Sequence, residues 1–141
     1  MPADRSLRVT ATSTRAIEEV WARLADAAGW KDWTSFTRSG LEQEGDPAPD
    51  GVGAVRRFGI GPMTSVEEVV AFEPPTHLAY VLRKGLPVKG YRADVELAST
   101  PAGGTDITWS STWDRNPPPT ALWRRFLTST VGRVAKDLAK A

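Results

Sequence analysis

The sequence predicts one α+β domain in which an antiparallel sheet of six or seven strands wraps around a long C-terminal helix, with one or two short helices near the N-terminus. Two observations predict this fold class. Residues 119–141 carry apolar side chains at three- and four-residue steps, the spacing of an amphipathic helix. A series of strand-like segments precedes them, and the apolar face of such a sheet must be covered. We expect the helix over 119–141 to cover it.

The N-terminal third predicts one strand, one helix and an irregular segment. Residues 7–12 alternate apolar and polar side chains, which indicates a half-buried strand. Residues 15–28 show the i, i+3, i+4, i+7 apolar spacing of a helix that closes one end of the sheet. The aromatic stretch 30–36 predicts a second short helix or an irregular turn. Residues 41–52 are rich in glycine and proline, so they contain a loop that a brief strand could precede.

The middle of the chain consists of strands separated by turns. Turn residues, mostly glycine or proline, lie between the apolar segments, and side chains alternate along those segments. The predicted strands are 54–58, 63–72, 78–83, 91–98 and 105–113.

Composition excludes several classes of function. The 141 residues fit a single domain, 1–141, and the net charge of +1 gives no basic field for nucleic acid. The chain has no cysteine, no metal-ligand spacing and no phosphate-binding glycine loop, so we expect neither metal nor cofactor. No apolar run approaches the ~20 residues that span a bilayer. Residues 1–8 lack the apolar core of a signal peptide, and we expect a cytoplasmic protein.

Four segments resemble the START-like (SRPBCC) superfamily, also described as polyketide cyclase/dehydrase-like. They are AIEEVWARLADAAGWKDW (16–33), GVGAVRRF (51–58), VEEVVAFEPPTHLAYVL (66–82) and GGTDITWSSTW (103–113), and the terminal helix follows them. The resemblance covers nearly the whole chain. It implies a helix-grip fold, with seven antiparallel strands around the C-terminal helix and a hydrophobic tunnel between them. That superfamily includes carriers of lipids and other hydrophobic ligands, receptors and cyclases, so fold alone does not assign an activity.

Two pairs of charged neighbours are candidates for polar groups inside the fold. Adjacent strand residues point to opposite faces, so one of Arg56 and Arg57, and one of Glu67 and Glu68, should face inward. An inward arginine beside an inward glutamate would form a buried pair able to bind a carboxylate or enolate oxygen. The alternative is an outward ion pair of little energetic value. The catalytic candidates are Arg56, Arg57, Glu68 and Tyr91.

His77 is the only histidine and follows a proline-rich turn. It is either a general base or a solvated turn residue. With one histidine and no cysteine, neither a serine–histidine–aspartate triad nor a thiol nucleophile is expected.

Aromatic and hydroxyl side chains supply candidates for the wall of a ligand site. Six tryptophans are present, and tryptophan suits both cores and pocket walls. Trp33 matches the aromatic position that follows the first helix in the polyketide cyclase branch of the superfamily. Each candidate has a structural alternative, since it could equally belong to the packed core. The ligand-binding candidates are Trp33, Phe36, Tyr91, Trp109, Ser111, Trp113, Leu122 and Phe126.

Three hypotheses for function follow. The first is a binding module that holds a small hydrophobic or aromatic ligand under the C-terminal helix. The second is a cyclase, aromatase or dehydratase acting on a polyketide-like molecule in the same cavity. The third is a protein-interaction or stress-response co-factor domain. A monomer or a homodimer is compatible with each.

Overall fold

The computed structural model describes residues 3–141, which form a seven-stranded antiparallel sheet and two α-helices. The strands lie in the order β1-β7-β6-β5-β4-β3-β2, and every neighbouring pair is antiparallel. This is the helix-grip architecture expected from the sequence. The elements are β1 (Ser6–Ser13), α1 (Ile17–Ala25), β2 (Arg38–Gln43), β3 (Val55–Ile60), β4 (Met63–Glu73), β5 (His77–Lys84), β6 (Arg92–Ser99), β7 (Thr105–Thr112) and α2 (Thr120–Lys140).

The long helix α2 covers only one side of the sheet. It packs mainly against β1 and, less extensively, β7. Its buried stripe consists of Leu127, Val131, Ala135 and Leu138, which follow helical spacing. No helix of the described chain is long and apolar enough to cross a membrane.

The first two turns of α2 depart from the predicted buried stripe. Leu122 is 57% exposed and Phe126 is 42% exposed. Both have the apolar spacing that predicts burial, but the rest of the described chain leaves these two side chains largely uncovered. The N-terminal half of α2 therefore presents apolar side chains to solvent.

Strand β7 shows the inward and outward alternation of a sheet with one buried face. Ile107, Trp109 and Ser111 are buried, whereas the residues between them are only partly buried. Val95 of β6 lies opposite Trp109 and is also buried. Trp113, which directly follows the strand, continues this alternation and is also buried.

The register of β4 with β5 shifts at two points: the first adds a residue, Arg83, to β5, and the second adds Val70 to β4, so that β4 changes its facing once. The shifts lie between Val66 and Glu67 and between Val69 and Ala71. Such bulges bend a strand and break the simple alternation of its side chains. The second shift turns Phe72 inward, where its ring contacts Trp21 of α1 with centroids 5.3 Å apart.

The segment after α1 closes one end of the sheet, although α1 itself is shorter than the predicted 15–28. It ends at Ala25 because Asp26 leaves helical geometry, and a short 3-10 helix, Ala27–Asp32, continues the chain. Trp30 lies on that 3-10 helix and is 2% exposed. Its indole Nε1 donates a hydrogen bond to the carbonyl of Leu24 at 3.0 Å, which fixes the orientation of its ring.

His77 lies on the outer face of the sheet, at the start of β5. Its Nδ1 lies 2.6 Å from Glu73 Oε1 and its Nε2 lies 2.7 Å from Asp94 Oδ2. Partial burial lowers the pKa of His77, but the hydrogen bonds and charges of both carboxylates outweigh it and raise the pKa above the usual value. The protonated ring therefore bridges a carboxylate on each neighbouring strand, Glu73 of β4 and Asp94 of β6. These contacts on both nitrogens fit neither a general base nor a solvated turn residue.

Truncation of the buried stripe of α2 should destabilise the protein strongly. Leu138 is 1% exposed, and removing a buried leucine costs about 2–5 kcal/mol. Leu138→Ala should lower the free energy of unfolding in urea by that amount. Leu122→Ala on the same helix should change it by less than about 0.5 kcal/mol. Equal losses in the two variants would contradict the placement of the stripe.

The stability of the protein should depend on pH through His77. Because its folded pKa is raised, its contribution is complete below about pH 6.5, the unfolded pKa. That contribution is lost as the pH rises through the folded pKa. The free energy of unfolding of wild type minus that of His77→Gln should therefore fall across this window. If this difference in unfolding free energy is constant or grows with pH, His77 does not form stabilising ion pairs with Glu73 and Asp94.

Candidate functional site

A cavity lies between α2 and the inner face of the sheet. It has a volume of about 110 Å³, is partly open to solvent and is lined mostly by apolar and aromatic side chains. The cavity lies where the family resemblance implies a hydrophobic tunnel, and Trp109, Phe126 and Val131 border it. The lining residues are Trp30, Phe36, Phe58, Ile60, Met63, Thr64, Ser65, Glu67, Tyr80, Leu82, Gly85, Leu86, Tyr91, Trp109, Phe126, Leu127, Thr130, Val131 and Val134.

The position of the cavity follows from the strand order. Helix α2 packs against β1 and β7, while β3, β4 and β5 lie further across the sheet. The inner side chains of these three strands are therefore not packed closely against α2. The cavity occupies this uncovered region.

Arg56 and Glu67 form a buried ion pair in the region of the cavity. They are direct partners across β3 and β4, so their side chains leave the same face of the sheet. Arg56 Nη2 donates to Glu67 Oε1 at 2.9 Å. Arg56 is 0% exposed and lies behind the cavity wall, whereas Glu67 is 9% exposed and forms part of that wall.

Three aromatic rings surround the guanidinium of Arg56. Its Cζ lies 4.8 Å from the ring centroid of Trp30, 5.1 Å from that of Phe58 and 5.0 Å from that of Tyr80. Within residues 3–141, its Nε and Nη1 have no hydrogen-bond partner. Cation–π attraction to three faces replaces part of the hydration that the buried cation has lost.

Burial raises the pKa of Glu67, and the charge and hydrogen bond of Arg56 oppose that rise. Protonation of Glu67 would leave Arg56 as an uncompensated buried cation, which is costly. We therefore treat Glu67 as ionised near neutral pH. The cavity wall carries one carboxylate whose charge Arg56 balances from behind.

Two phenol groups complete the polar side of the cavity. Tyr91 shares a hydrogen bond of 2.8 Å with Ser111 Oγ, and Trp109 Nε1 donates to the hydroxyl of Tyr80 at 3.2 Å. Burial raises the pKa of both tyrosines. Both are therefore neutral hydroxyls at physiological pH.

The mouth of the cavity is an apolar surface. Ile60 and Met63 lie at the β3–β4 turn and Phe126 lies on α2; each lines the cavity and is more than 40% exposed. Exposed large apolar side chains that continue into a cavity are typical of an entrance for apolar ligands.

The structure brings half of the predicted ligand-binding residues to the cavity. Phe36, Tyr91, Trp109 and Phe126 line it directly. Leu122 does not; it lies on an exposed part of α2.

Three more predicted residues lie next to the cavity rather than on its wall. Ser111 holds the hydroxyl of Tyr91, and the ring of Trp113 lies 6.3 Å from the ring of Tyr91. Trp33 packs against Trp30 with centroids 5.1 Å apart. They support wall residues instead of forming the wall.

Arg57 and Glu68, two of the catalytic candidates, point away from the cavity. Arg57 Nε lies 3.3 Å from Glu42 on the outer face, and its side chain is 57% exposed. Glu68 pairs with Arg83, also on that face. Because Arg56 and Glu67 occupy the inner face, their sequence neighbours must occupy the outer one. The structure therefore replaces Glu68 with Glu67 as the inward carboxylate.

Trp30, Phe58 and Tyr80 belong to the site but were absent from the sequence-based set of candidates. Phe58 lies two residues after Arg56 on the same strand, so alternation could have indicated it. Trp30 depends on the orientation of the 3-10 helix, which no local pattern determines. Among the described residues, no group of histidine, aspartate and glutamate side chains could hold a metal ion.

The chain is similar to a known protein family in sequence and to solved structures in fold. Residues 4–141 match the family model described as polyketide cyclase / dehydrase and lipid transport. The chain belongs to this family and has the START-like fold. Comparison with curated proteins gives no match.

Solved structures share the fold at low sequence identity. A START superfamily protein from Mycobacterium smegmatis aligns with a TM-score of 0.79 at 11% identity, covering 95% of this chain and 94% of that one. A protein from Nitrosospira multiformis gives 0.78 at 15%, covering 95% and 93%. One from Thermobifida fusca gives 0.72 at 24%, covering 93% and 85%. At these identities the similarity concerns the fold alone.

Removal of Arg56 should destabilise the protein far more than removal of its neighbour. Arg56→Ala leaves Glu67 buried without its partner, which typically costs about 3–5 kcal/mol. Arg57→Ala removes an exposed pair worth less than about 1 kcal/mol. Chemical denaturation of the two variants measures both losses. A small loss in Arg56→Ala would contradict the buried pair.

Proposed function

We propose that the protein binds a small, mainly apolar molecule, such as one with an aromatic ring, in the cavity under α2. The observation that carries the proposal is the cavity itself, whose apolar wall continues to exposed apolar side chains at the mouth. Membership of a family whose description includes lipid transport supports this choice. An apolar cavity with a few fixed polar groups is the common form of a small-molecule site.

The volume of the cavity limits what fits completely inside it. It measures about 110 Å³, whereas an engineered apolar cavity of about 150 Å³ holds benzene. A ligand of about one ring would nearly fill the enclosed part after small side-chain movements. Longer ligands would extend through the mouth, along Met63 and Phe126.

Filling the cavity should abolish binding. Val131 lies on α2 and lines the cavity, so Val131→Phe would occupy the space of a ligand. With 4-ethylanisole as probe, isothermal titration calorimetry should give a dissociation constant at least tenfold higher for this variant than for wild type.

Leu122→Phe is the matched control because it adds an aromatic ring to an exposed position of the same helix. It should bind the probe as wild type does. Equal binding by all three proteins would show that the probe occupies another place. Failure of wild-type protein to bind this probe and also its phenol and benzoate analogues would contradict the proposal.

A second function, catalysis of the cyclase, aromatase or dehydratase type, is favoured by one observation. An ionised carboxylate, Glu67, lies on the cavity wall and its pKa is raised, which suits a general base. Arg56 would hold that base in place from behind. In this case Glu67→Gln should slow conversion of a linear poly-β-ketone thioester by about 10²–10⁴-fold, measured by chromatography and mass spectrometry. An unchanged rate, or no conversion by wild type, would remove this candidate.

A further inference from the structure

We infer that Glu67 makes the cavity selective for uncharged ligands that carry a hydroxyl group, such as phenols, against their ethers and carboxylates. This inference rests on the proposed function and specifies the chemistry of its ligand. It follows from the different surroundings of the two carboxylate oxygens of Glu67.

The two oxygens of Glu67 have different surroundings. Oε1 accepts the hydrogen bond from Arg56 Nη2 at 2.9 Å. Within residues 3–141, no hydrogen bond from a protein donor reaches Oε2. Because Glu67 lies on the cavity wall, a ligand inside the cavity can supply that donor. A ligand without one would displace water and leave a buried carboxylate oxygen unpaired.

Each of the two phenol groups on the wall has one hydrogen-bond partner. The hydroxyl of Tyr80 accepts from Trp109, and that of Tyr91 is joined to Ser111. Neither forms a hydrogen bond with Glu67. The carboxylate is therefore the strongest acceptor left open to a ligand, and a bond to a charged acceptor discriminates more than a neutral one.

The charge balance of the site excludes ionised ligands of both signs. A carboxylate ligand would meet the negative charge of Glu67. The balancing charge of Arg56 lies behind the wall among the rings of Trp30, Phe58 and Tyr80. A cationic ligand would add a positive charge to a pair that is already neutral. Burying an uncompensated charge is unfavourable in either case, so an uncharged hydroxyl is the group that fits.

Three probes with the same apolar body test this directly: 4-ethylphenol, 4-ethylanisole and 4-ethylbenzoate. At neutral pH, calorimetry with wild-type protein should show 4-ethylphenol binding about tenfold or more tighter than 4-ethylanisole, as expected for one hydrogen bond to a charged acceptor. The benzoate should bind most weakly. Equal binding of phenol and ether, or tightest binding of the benzoate, would overturn the inference and leave the proposed function standing. If none of the three binds, the proposed function fails with it.

A pair of adjacent variants locates the effect. In Glu67→Gln the amide oxygen can still accept from Arg56, so the amide nitrogen faces the ligand as a donor. The preference for the phenol over the ether should then fall to about threefold or less. Glu68→Gln on the outer face should keep the wild-type ratio. A preference that survives in Glu67→Gln would overturn the assignment to Glu67, and thermal unfolding checks that both variants fold. If Glu67→Gln does not fold, the ratio of the dissociation constants of 4-ethylanisole and 4-ethylphenol measured on wild-type protein still decides the inference.

Discussion

A seven-stranded sheet with only one long helix to cover it is the constraint from which the rest of this structure follows. Helix α2 packs on β1 and β7, at one side of the sheet. The apolar stripe of α2 is buried there. The inner faces of β3, β4 and β5 must therefore be covered by other parts of the chain. Trp30, on the 3-10 helix after α1, provides part of it by stacking on Phe58 at 4.4 Å. The remaining space is the cavity, and its mouth opens beside Phe126 in the second turn of α2.

The Arg56–Glu67 pair is an unusual element to place inside such a fold. A buried pair is weak evidence for stability, because an apolar pair of similar volume is often as stable or more stable. Here three aromatic rings and one hydrogen bond hold Arg56, and two of its nitrogens have no partner among the described residues. The arrangement places a fixed carboxylate on the cavity wall. A ligand in the cavity can contact the carboxylate of Glu67, whereas Arg56 lies behind the cavity wall.

Sequence patterns predicted the fold class and most of the succession of strands and helices along the chain, since these depend on local periodicity and length. They also showed that one residue of each charged pair must face inward. They could not identify Arg56 and Glu67 as the inward members, because an extra residue, Val70, shifts the alternation of β4 between Glu67 and the apolar end of the strand at Phe72. Nor could they place Leu122, whose spacing resembles that of buried Leu138. Whether other parts of the protein cover a given helix turn depends on tertiary packing, which the periodicity of the sequence does not show.

A crystal structure of the protein with 4-ethylphenol would test the central claim most directly. We expect the aromatic ring of 4-ethylphenol to lie inside the cavity, in contact with Trp109 and Val131. Its phenol oxygen should lie about 2.5–2.9 Å from Glu67 Oε2. An unoccupied cavity at saturating 4-ethylphenol, or 4-ethylphenol bound only on the protein surface, for example beside Val9 of β1 and Gly132 of α2, would contradict this claim.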